Sequence, residues 1–252
     1  MKKSKIDKEI IEYFKNSAMF SREELYEYYK KYETDLKPQT FAWRLYDLKR
    51  KNVVHEIKKG VFKISDKQPY KPFLDDNMKQ IYSKITNEFF DPRFVIWSTA
   101  WLNEFTLHQT FQNFYILESS YEVTESVFYK LKELEVPNVF LRPDKDQIAN
   151  YVIGADSPVV IINLILKAPI KKINKIFIPA LEKILIDLYT EKNIFYMYQG
   201  NEIKEIFRNA IKKYILNFTK LFHYARRRGK EIEIKNFIES NFKDQLGNIL
   251  DD

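Results

Sequence analysis

Apolar residues recur at helical spacing three times in the first 50 residues, and a short alternating stretch follows. The pattern predicts helices near residues 4–16, from Ser21 and from Pro38, and then a hairpin over residues 53–65. The apolar positions, helix by helix, are Ile6, Ile10, Ile11 and Phe14; Leu25, Tyr28, Tyr29 and Tyr32; and Phe41, Leu45 and Leu48.

Local signals mark where these elements begin and turn. Ser21 followed by Glu24 is the pattern of a capping box, in which each side chain accepts a hydrogen bond from the other residue's backbone N–H. Pro38 suits a first helical position, where its missing N–H would have no partner. Gly60 permits the positive φ of a tight hairpin turn. Three helices and a hairpin in this order predict a winged helix-turn-helix domain over residues 1–65.

The pattern changes to mixed helix and strand after a polar stretch, DKQPYKPF, at residues 66–73. Strands are predicted at 93–98, 113–119, 138–143, 158–163 and 170–178, and helices near 75–89, at 124–134, after Pro179, and at 201–227 and 231–242. Residues 158–163 are apolar on both faces, which is typical of a central strand. We therefore predict an α+β protein: the winged helix, a linker at 66–73, and a mixed α/β domain at 74–252 whose sheet is flanked by helices.

The net charge is confined to the first domain. Residues 1–72 hold 18 Lys and Arg against 11 Asp and Glu, which is +7, and +7 is also the net charge of the whole chain. A basic domain with this helix order favours binding to double-stranded DNA. The alternatives are an ordinary solvated surface or a domain that docks onto another protein.

The third predicted helix and the hairpin carry the candidate DNA-binding residues. Arg44 is the candidate base reader, because its guanidinium can bond guanine O6 and N7 together. Gln39 and Thr40 lie at the helix end that normally enters the major groove, with Trp43 beside them. Phosphate contacts are assigned to basic residues, namely Lys37, Arg50, Lys51, Lys58 and Lys59. Asp47 suits a partner for Arg44 or Lys51, or an acceptor from a cytosine amino group.

The motifs of common enzymes are missing, so we expect no catalytic residue, no metal and no cofactor. The chain has no cysteine, its three histidines lack metal-ligand spacing, and it has no glycine-rich phosphate loop. A metal nuclease of the restriction-enzyme kind would need an acid on one strand and a Glu-x-Lys on the next, to hold the metal and activate water. Residue 120, two positions after Glu118, is serine, and Glu104, the other acid near a strand, is predicted on a helix.

No segment predicts export or a membrane span. The longest apolar stretch, residues 159–166, is far short of the ~20 residues that a span needs, and the first residues lack a signal-peptide pattern. We therefore expect a cytoplasmic protein that does not contact membranes.

Arg226, Arg227 and Arg228 precede Gly229 near the end of the chain. One interpretation is a helix C-terminus, where the dipole favours cations and glycine closes the last turn. The other is a second contact to phosphate or RNA.

Three segments resemble AbiEi-type antitoxins of bacterial abortive-infection systems: GVFKIS, IWSTAWLNEFTLHQTFQNFYILE and IFIPALEKILIDLY. The resemblance covers most of the chain and implies a repressor of its own operon that binds double-stranded operator DNA. It also implies an antitoxin functionally coupled to a nucleotidyltransferase-like toxin, in a phage-defence module. The second domain would then neutralise the toxin, with Glu182, Asp187 and Arg226–Arg228 as candidate effector contacts.

Two other classes of function remain open. One is a DNA-targeting enzyme in which the winged helix delivers a degenerate restriction-endonuclease-like domain, and metal-dependent cleavage would reveal it. The other is a winged-helix adaptor that docks proteins, which a failure to bind DNA at any salt concentration would favour.

Overall fold

The computed structural model describes residues 5–17, 19–64, 67, 69–90, 93–107 and 112–246. Residues 65, 66 and 68 of the predicted hairpin and linker, and residues 108–111 of the segment IWSTAWLNEFTLHQTFQNFYILE, lie outside this description. The chain is a mixed α/β protein with several sheets, and it divides into two compact units. Unit 1 contains the described residues of Met1–Pro69, Lys213–Thr219 and Leu246–Asp252, and unit 2 contains those of Tyr70–Lys212 and Lys220–Gln245.

The described N-terminal part of unit 1 contains three helices, a short strand and a C-terminal hairpin. Its elements are α1 (Lys5–Phe14), β1 (Phe20–Ser21), α2 (Arg22–Lys30), α3 (Pro38–Arg50), β2 (His55–Lys58) and β3 (Val61–Lys63). The strands form an antiparallel sheet in the order β1-β3-β2, in which Phe20 pairs with Phe62. The short strand β1 was not predicted, because two residues are too few to show an alternating pattern.

The predicted signals at the helix ends are confirmed. Ser21 accepts a hydrogen bond from the Glu24 backbone N–H, and the Glu24 carboxylate accepts one from Ser21, which completes the capping box. Pro38 is the first residue of α3, and Gly60 turns the hairpin at φ +75°. Just beyond the end of α3, Asn52 adopts a φ of 55°, which lets the Val53 N–H reach the Leu48 carbonyl.

The core of unit 1 is built from the faces that the helical spacing predicts, with one correction. Ile10, Leu25, Phe41 and Phe62 are among the buried residues that pack together there. Tyr32, predicted as part of the second helix's buried face, is exposed. α2 ends at Lys30, so Tyr32 lies beyond the last helical turn and loses its place on that face.

Unit 2 is organised around a sheet in the order β4-β5-β7-β6. Its strands are β4 (Val95–Ser98), β5 (Tyr115–Ser119), β6 (Val139–Leu141) and β7 (Val159–Asn163). β5, β7 and β6 are parallel, and β4 pairs antiparallel with β5. β7 therefore has a neighbour on each side, which confirms the prediction of a central strand.

Helices and turns connect these strands, and in the described part of the chain a second hairpin and four more α-helices follow the last of them. The chain runs through α4 (Asp76–Glu88), a 3-10 helix (Thr99–Glu104), α5 (Thr124–Glu133), and α6 (Lys145–Gln147), which continues into a π-helical turn (Ile148–Val152). After β7 come β8 (Ile170–Ile173), β9 (Ile176–Pro179), α7 (Leu181–Thr190), a 3-10 turn (Tyr196–Tyr198), α8 (Asn201–Lys213), α9 (Phe218–Arg227) and α10 (Glu231–Leu246).

Two predicted elements of this part are divided in the structure. The single strand predicted at 170–178 is the hairpin β8–β9, which turns at Asn174 and Lys175 with φ of 47° and 70°. The helix predicted at 201–227 is interrupted after Lys213, and the connecting segment Lys213–Thr219 belongs to unit 1. Among the described residues, no helix is both long and apolar enough to cross a membrane.

Candidate functional site

The exposed face of α3 carries polar and aromatic side chains. Gln39 and Thr40 are exposed near its N-terminus, and 65% of the Trp43 side chain is exposed. Tyr46, one turn further along and 63% exposed, was not among the predicted contacts. Gln39, Trp43, Tyr46 and Arg50 follow one another at spacings of four, three and four residues, so they line a single stripe opposite the buried face. That spacing was the signal that could have identified Tyr46.

The charged residues of α3 are mostly engaged by acids of the same unit. The Arg44 guanidinium donates to the Glu33 carboxylate at 2.6 Å and lies 5.2 Å from the centre of the Tyr29 ring. Asp47 pairs with Lys51 and Arg50, each at 2.6 Å, and these cations hold its pKa below the usual value. The predicted partnership of Asp47 and Lys51 is thus confirmed, whereas Arg44 is oriented by Glu33.

The β2–β3 hairpin is anchored from a distant part of the sequence. The Lys59 backbone N–H donates to the Thr219 hydroxyl at 2.9 Å, and the Asn217 side chain donates to the Glu56 carbonyl at 3.1 Å. The Lys59 side chain is exposed and that of Lys58 is half-buried. Within the described part of the chain, neither Lys59 nor the exposed Lys37 lies in ion-pair distance of a carboxylate. These lysines remain available for an anionic partner.

A cluster of ionisable groups lies in the interior of unit 2. The Lys183 ammonium, at the start of α7, is 2.7 Å from both carboxylate oxygens of Glu118 on β5 and 2.5 Å from Asp187. The Tyr224 hydroxyl, on α9, donates to the other Asp187 oxygen at 2.7 Å. The cluster therefore links the sheet to two helices through hydrogen bonds among charged groups.

Burial controls the protonation of this cluster. Burial raises the pKa of the Glu118 carboxyl to about 7, with the positive charge of Lys183 opposing the rise and the negative charge of Asp187 adding to it. Burial disfavours the charged form of Lys183, but the two carboxylates outweigh it and hold its pKa above the usual value. Lys183 is therefore a cation that Glu118 and Asp187 share.

The cluster is closed to solvent, so we interpret it as structural. The exposed fractions of Glu118, Lys183 and Asp187 are 1%, 0% and 3%. In the described ranges, no group of three or more His, Cys, Asp or Glu side chains is arranged to hold a metal ion. No spacing rule pairs Glu118 with Lys183, although a lysine on a helix whose leucines and isoleucines predict burial was a signal that it needed a buried acid.

The residues predicted as effector contacts are not on one surface. Glu182 and Asp187 are both buried, because α7 is enclosed on all sides, so neither carboxylate is exposed to a protein partner. Arg226 is exposed and pairs with Glu231, and Arg228 pairs with Glu191 and bonds Thr190. Gly229 adopts φ +67° and its N–H bonds the Arg226 carbonyl, which confirms the predicted glycine closure of the helix. Arg227 is the exposed member of the three whose side chain has no such pairing within the described residues.

These features define a two-unit α/β protein that joins a small, basic, helix-rich unit to a sheet with a buried ionic cluster. The family model described as a family of unknown function (DUF6577) matches residues 40–244. The chain belongs to this family, and the matched region runs from α3 through the hairpin and most of unit 2. No curated protein matches the chain.

Proposed function

We propose that unit 1 is a winged helix that binds double-stranded DNA through α3 and the β2–β3 hairpin. The observation that carries the proposal is the topology, in which α2 and α3 precede a hairpin whose second strand, β3, pairs with β1. In winged-helix and helix-turn-helix proteins the helix in the position of α3 lies in the major groove, and its N-terminal residues face the bases. The exposure of Gln39, Thr40 and Trp43 supports this orientation.

The charge distribution supports the same partner. Residues 1–72 carry all of the chain's net +7, and the exposed Lys37 and Lys59 lie just before α3 and in the turn of the β2–β3 hairpin. Phosphate contacts of this kind supply affinity without sequence information. Arg44 is the proposed base reader, and it would exchange its bond to Glu33 for one to guanine.

We further propose that this DNA binding represses transcription in the cytoplasm and that the chain is the antitoxin of a two-gene phage-defence operon. The resemblance of three segments to AbiEi-type antitoxins supports this role. The partner would be a nucleotidyltransferase-like toxin encoded next to the chain. The buried positions of Glu182 and Asp187 restrict the candidate contacts to exposed groups such as Arg227.

A binding titration tests the proposal. The full chain is titrated into labelled duplex from the region upstream of its own gene and into an unrelated duplex of equal length, at several salt concentrations. Tighter binding to the upstream duplex would support a repressor. Equal binding to both would support a nonspecific DNA contact, and no binding at low salt would leave the protein-docking adaptor. Plasmid cleavage that requires Mg²⁺ or Mn²⁺ would instead favour the DNA-targeting enzyme.

A further inference from the structure

After the adjacent parallel strands β5 and β7 of unit 2, the chain continues towards opposite edges of the sheet. β5 continues through α5 to β6, which lies on the far side of β7. β7 continues to the β8–β9 hairpin, and β9 packs against β4, on the other side of β5. The carboxyl ends of β5 and β7 therefore form a topological switch point. In open α/β sheets, ligands bind in the crevice outside such a point.

A cleft of about 760 Å³ opens at this place. Its walls are the β5–α5 loop at Ser120–Glu122, the β7–β8 loop at Leu164–Ala168, and the side chains of Arg93, Ile170 and Phe177. A cleft of this size falls in the range of roughly 300–1,000 Å³ that small-molecule sites occupy. The two loops that diverge at the switch point thus enclose a space large enough for a metabolite.

Positive charge predominates around the cleft. Arg93 and Lys167 line it, and the cationic groups of Arg93 and Lys172 lie 5.4 and 4.9 Å from the centre of the Phe177 ring. In the described part of the chain, none of these three cations lies in ion-pair distance of a carboxylate. The acid that lines the cleft is Glu122, and hydrogen bonds from its own backbone N–H and from Ser120 lower its pKa. The balance favours an anionic ligand.

An aromatic ring at the same cleft offers a stacking surface. Tyr121 is 70% exposed, and the Arg142 guanidinium lies 5.1 Å from the centre of its ring. Arg142 is itself fixed by the Asn163 side-chain oxygen, which accepts a bond from it at 2.9 Å. An exposed ring beside fixed and available cations suits a ligand that is both planar and negatively charged.

We propose that this cleft binds a nucleoside phosphate, with the phosphates on Arg93 and Lys167 and the base against Tyr121. Because the chain has no glycine-rich loop, side chains rather than backbone N–H groups would hold the phosphates. The site is separate in sequence from α3 and the hairpin, so it stands whether or not unit 1 binds DNA. Unit 2 would then bind a small-molecule ligand independently of the proposed DNA surface.

Calorimetric titration of the full chain with ATP, AMP, adenosine and inorganic phosphate tests the site. We expect ATP to bind at one site, about tenfold or more tighter than adenosine or phosphate alone, since both charge and stacking contribute. Arg93→Gln and Lys167→Gln should each weaken ATP binding about tenfold or more, and Arg93→Lys should weaken it less. Tyr121→Ala should weaken ATP but leave phosphate binding unchanged, whereas Tyr121→Phe should retain both.

Two control variants separate this site from the proposed DNA surface. Lys59→Gln in the hairpin and Lys132→Gln on the exposed face of α5 should bind ATP as the unaltered chain does. Absence of ATP binding at millimolar concentration would overturn the proposal. So would a loss of binding in Lys59→Gln with retention in Arg93→Gln, or equal affinity for ATP and adenosine. If a single-stranded oligonucleotide displaces ATP at a hundredfold lower concentration, the ligand of the cleft is nucleic acid rather than a mononucleotide. That result would also contradict the proposal.

Discussion

The Lys183 ammonium lies 2.7 Å from both carboxylate oxygens of Glu118, although the two residues are 65 positions apart in the sequence. Both side chains are buried, so water cannot compensate for the loss of either partner. Asp187 shares the same ammonium from one helical turn away. The stability of unit 2 should therefore respond to the protonation and to the removal of these groups.

Glu118 should make the stability of unit 2 fall as the pH rises. Its pKa rises from 4.5 to about 7 on folding, so the folded state binds more protons between these values. The stabilising contribution is complete below pH 4.5, is lost as the pH rises towards 7, and changes little above that. The shift corresponds to on the order of 3 kcal/mol. The free energy of unfolding can be measured at each pH by denaturant titration, with the fluorescence of the buried Trp97 and Trp101 as the signal.

Glu118→Gln tests this assignment, because the amide cannot titrate. The difference in unfolding free energy between the variant and the unaltered chain should change between pH 5 and pH 8, in the direction that makes the variant relatively more stable at pH 8. Glu133→Gln, an exposed residue on α5, is the matched control and should follow the unaltered chain. Parallel pH curves for Glu118→Gln and the unaltered chain would show that Glu118 is not the titrating group.

Removing the shared cation should be more damaging than removing one acid. Lys183→Met keeps an unbranched side chain but removes the ammonium, which leaves Glu118 and Asp187 buried without a counter-charge. We expect a loss of about 3–5 kcal/mol in the free energy of unfolding at pH 7. The double variant Lys183→Met with Glu118→Gln should lose less than the single variant, since one buried charge is gone. A double variant that loses the sum of the two single effects would show that the groups do not interact.

The sequence predicts most reliably the features that depend on neighbouring residues. The capping box of Ser21 and Glu24, the start of α3 at Pro38 and the glycine closure at Gly229 are local, and all three are confirmed. The central position of β7 also follows from its own residues, because a strand that is apolar on both faces must be covered on both.

Features that depend on distant residues were not predictable. The pairing of Glu118 with Lys183 requires the fold to bring β5 and α7 together, and no spacing rule in the sequence predicts this contact. The turn between β8 and β9 is made by Asn174 and Lys175 without the glycine that usually marks a positive φ, so residues 170–178 were predicted as a single strand. The ion pair of Arg44 with Glu33 likewise joins α3 to the preceding turn, and helix periodicity does not reveal it.

Glu135 should be a position where glycine stabilises the protein. It follows α5 with φ of 53°, and its N–H and that of Val136 bond carbonyls of the last helical turn. The left-handed conformation is strained for glutamate but not for glycine, so Glu135→Gly should raise the free energy of unfolding by roughly 0.5–1 kcal/mol. Glu135→Ala controls for the charge and should not stabilise. Asn52→Gly, at the equivalent end of α3, should have little effect, because asparagine tolerates this conformation. Destabilisation by Glu135→Gly in denaturant melts would refute the strain argument.

Trp43 should report DNA binding without any added label. It is 65% exposed on α3, whereas Trp97 and Trp101, the other two tryptophans of the chain, are buried in unit 2. Under the proposed function, duplex DNA should reduce the quenching of Trp43 by acrylamide and change its emission. Trp43→Phe should abolish that change, and a fluorescence change that persists in this variant would locate the DNA elsewhere.

Arg44 and Lys59 should affect DNA binding in different ways if the first reads bases and the second contacts phosphate. Arg44→Ala should cost ~1–3 kcal/mol on the cognate duplex and little on an unrelated one, because a bidentate contact to guanine is lost. Lys59→Ala should weaken both duplexes about equally and make the salt dependence shallower by about one unit. With about four to six phosphates contacted, the logarithm of the affinity of the unaltered chain should fall against the logarithm of salt concentration with a slope of roughly −4 to −5.

Lys132→Ala, on α5 of unit 2, is the control that should change neither the affinity for the two duplexes nor the salt dependence. If Arg44→Ala weakens both duplexes equally, Arg44 serves as a phosphate contact or as a structural partner of Glu33, and base reading must be assigned to Gln39 or Thr40 instead.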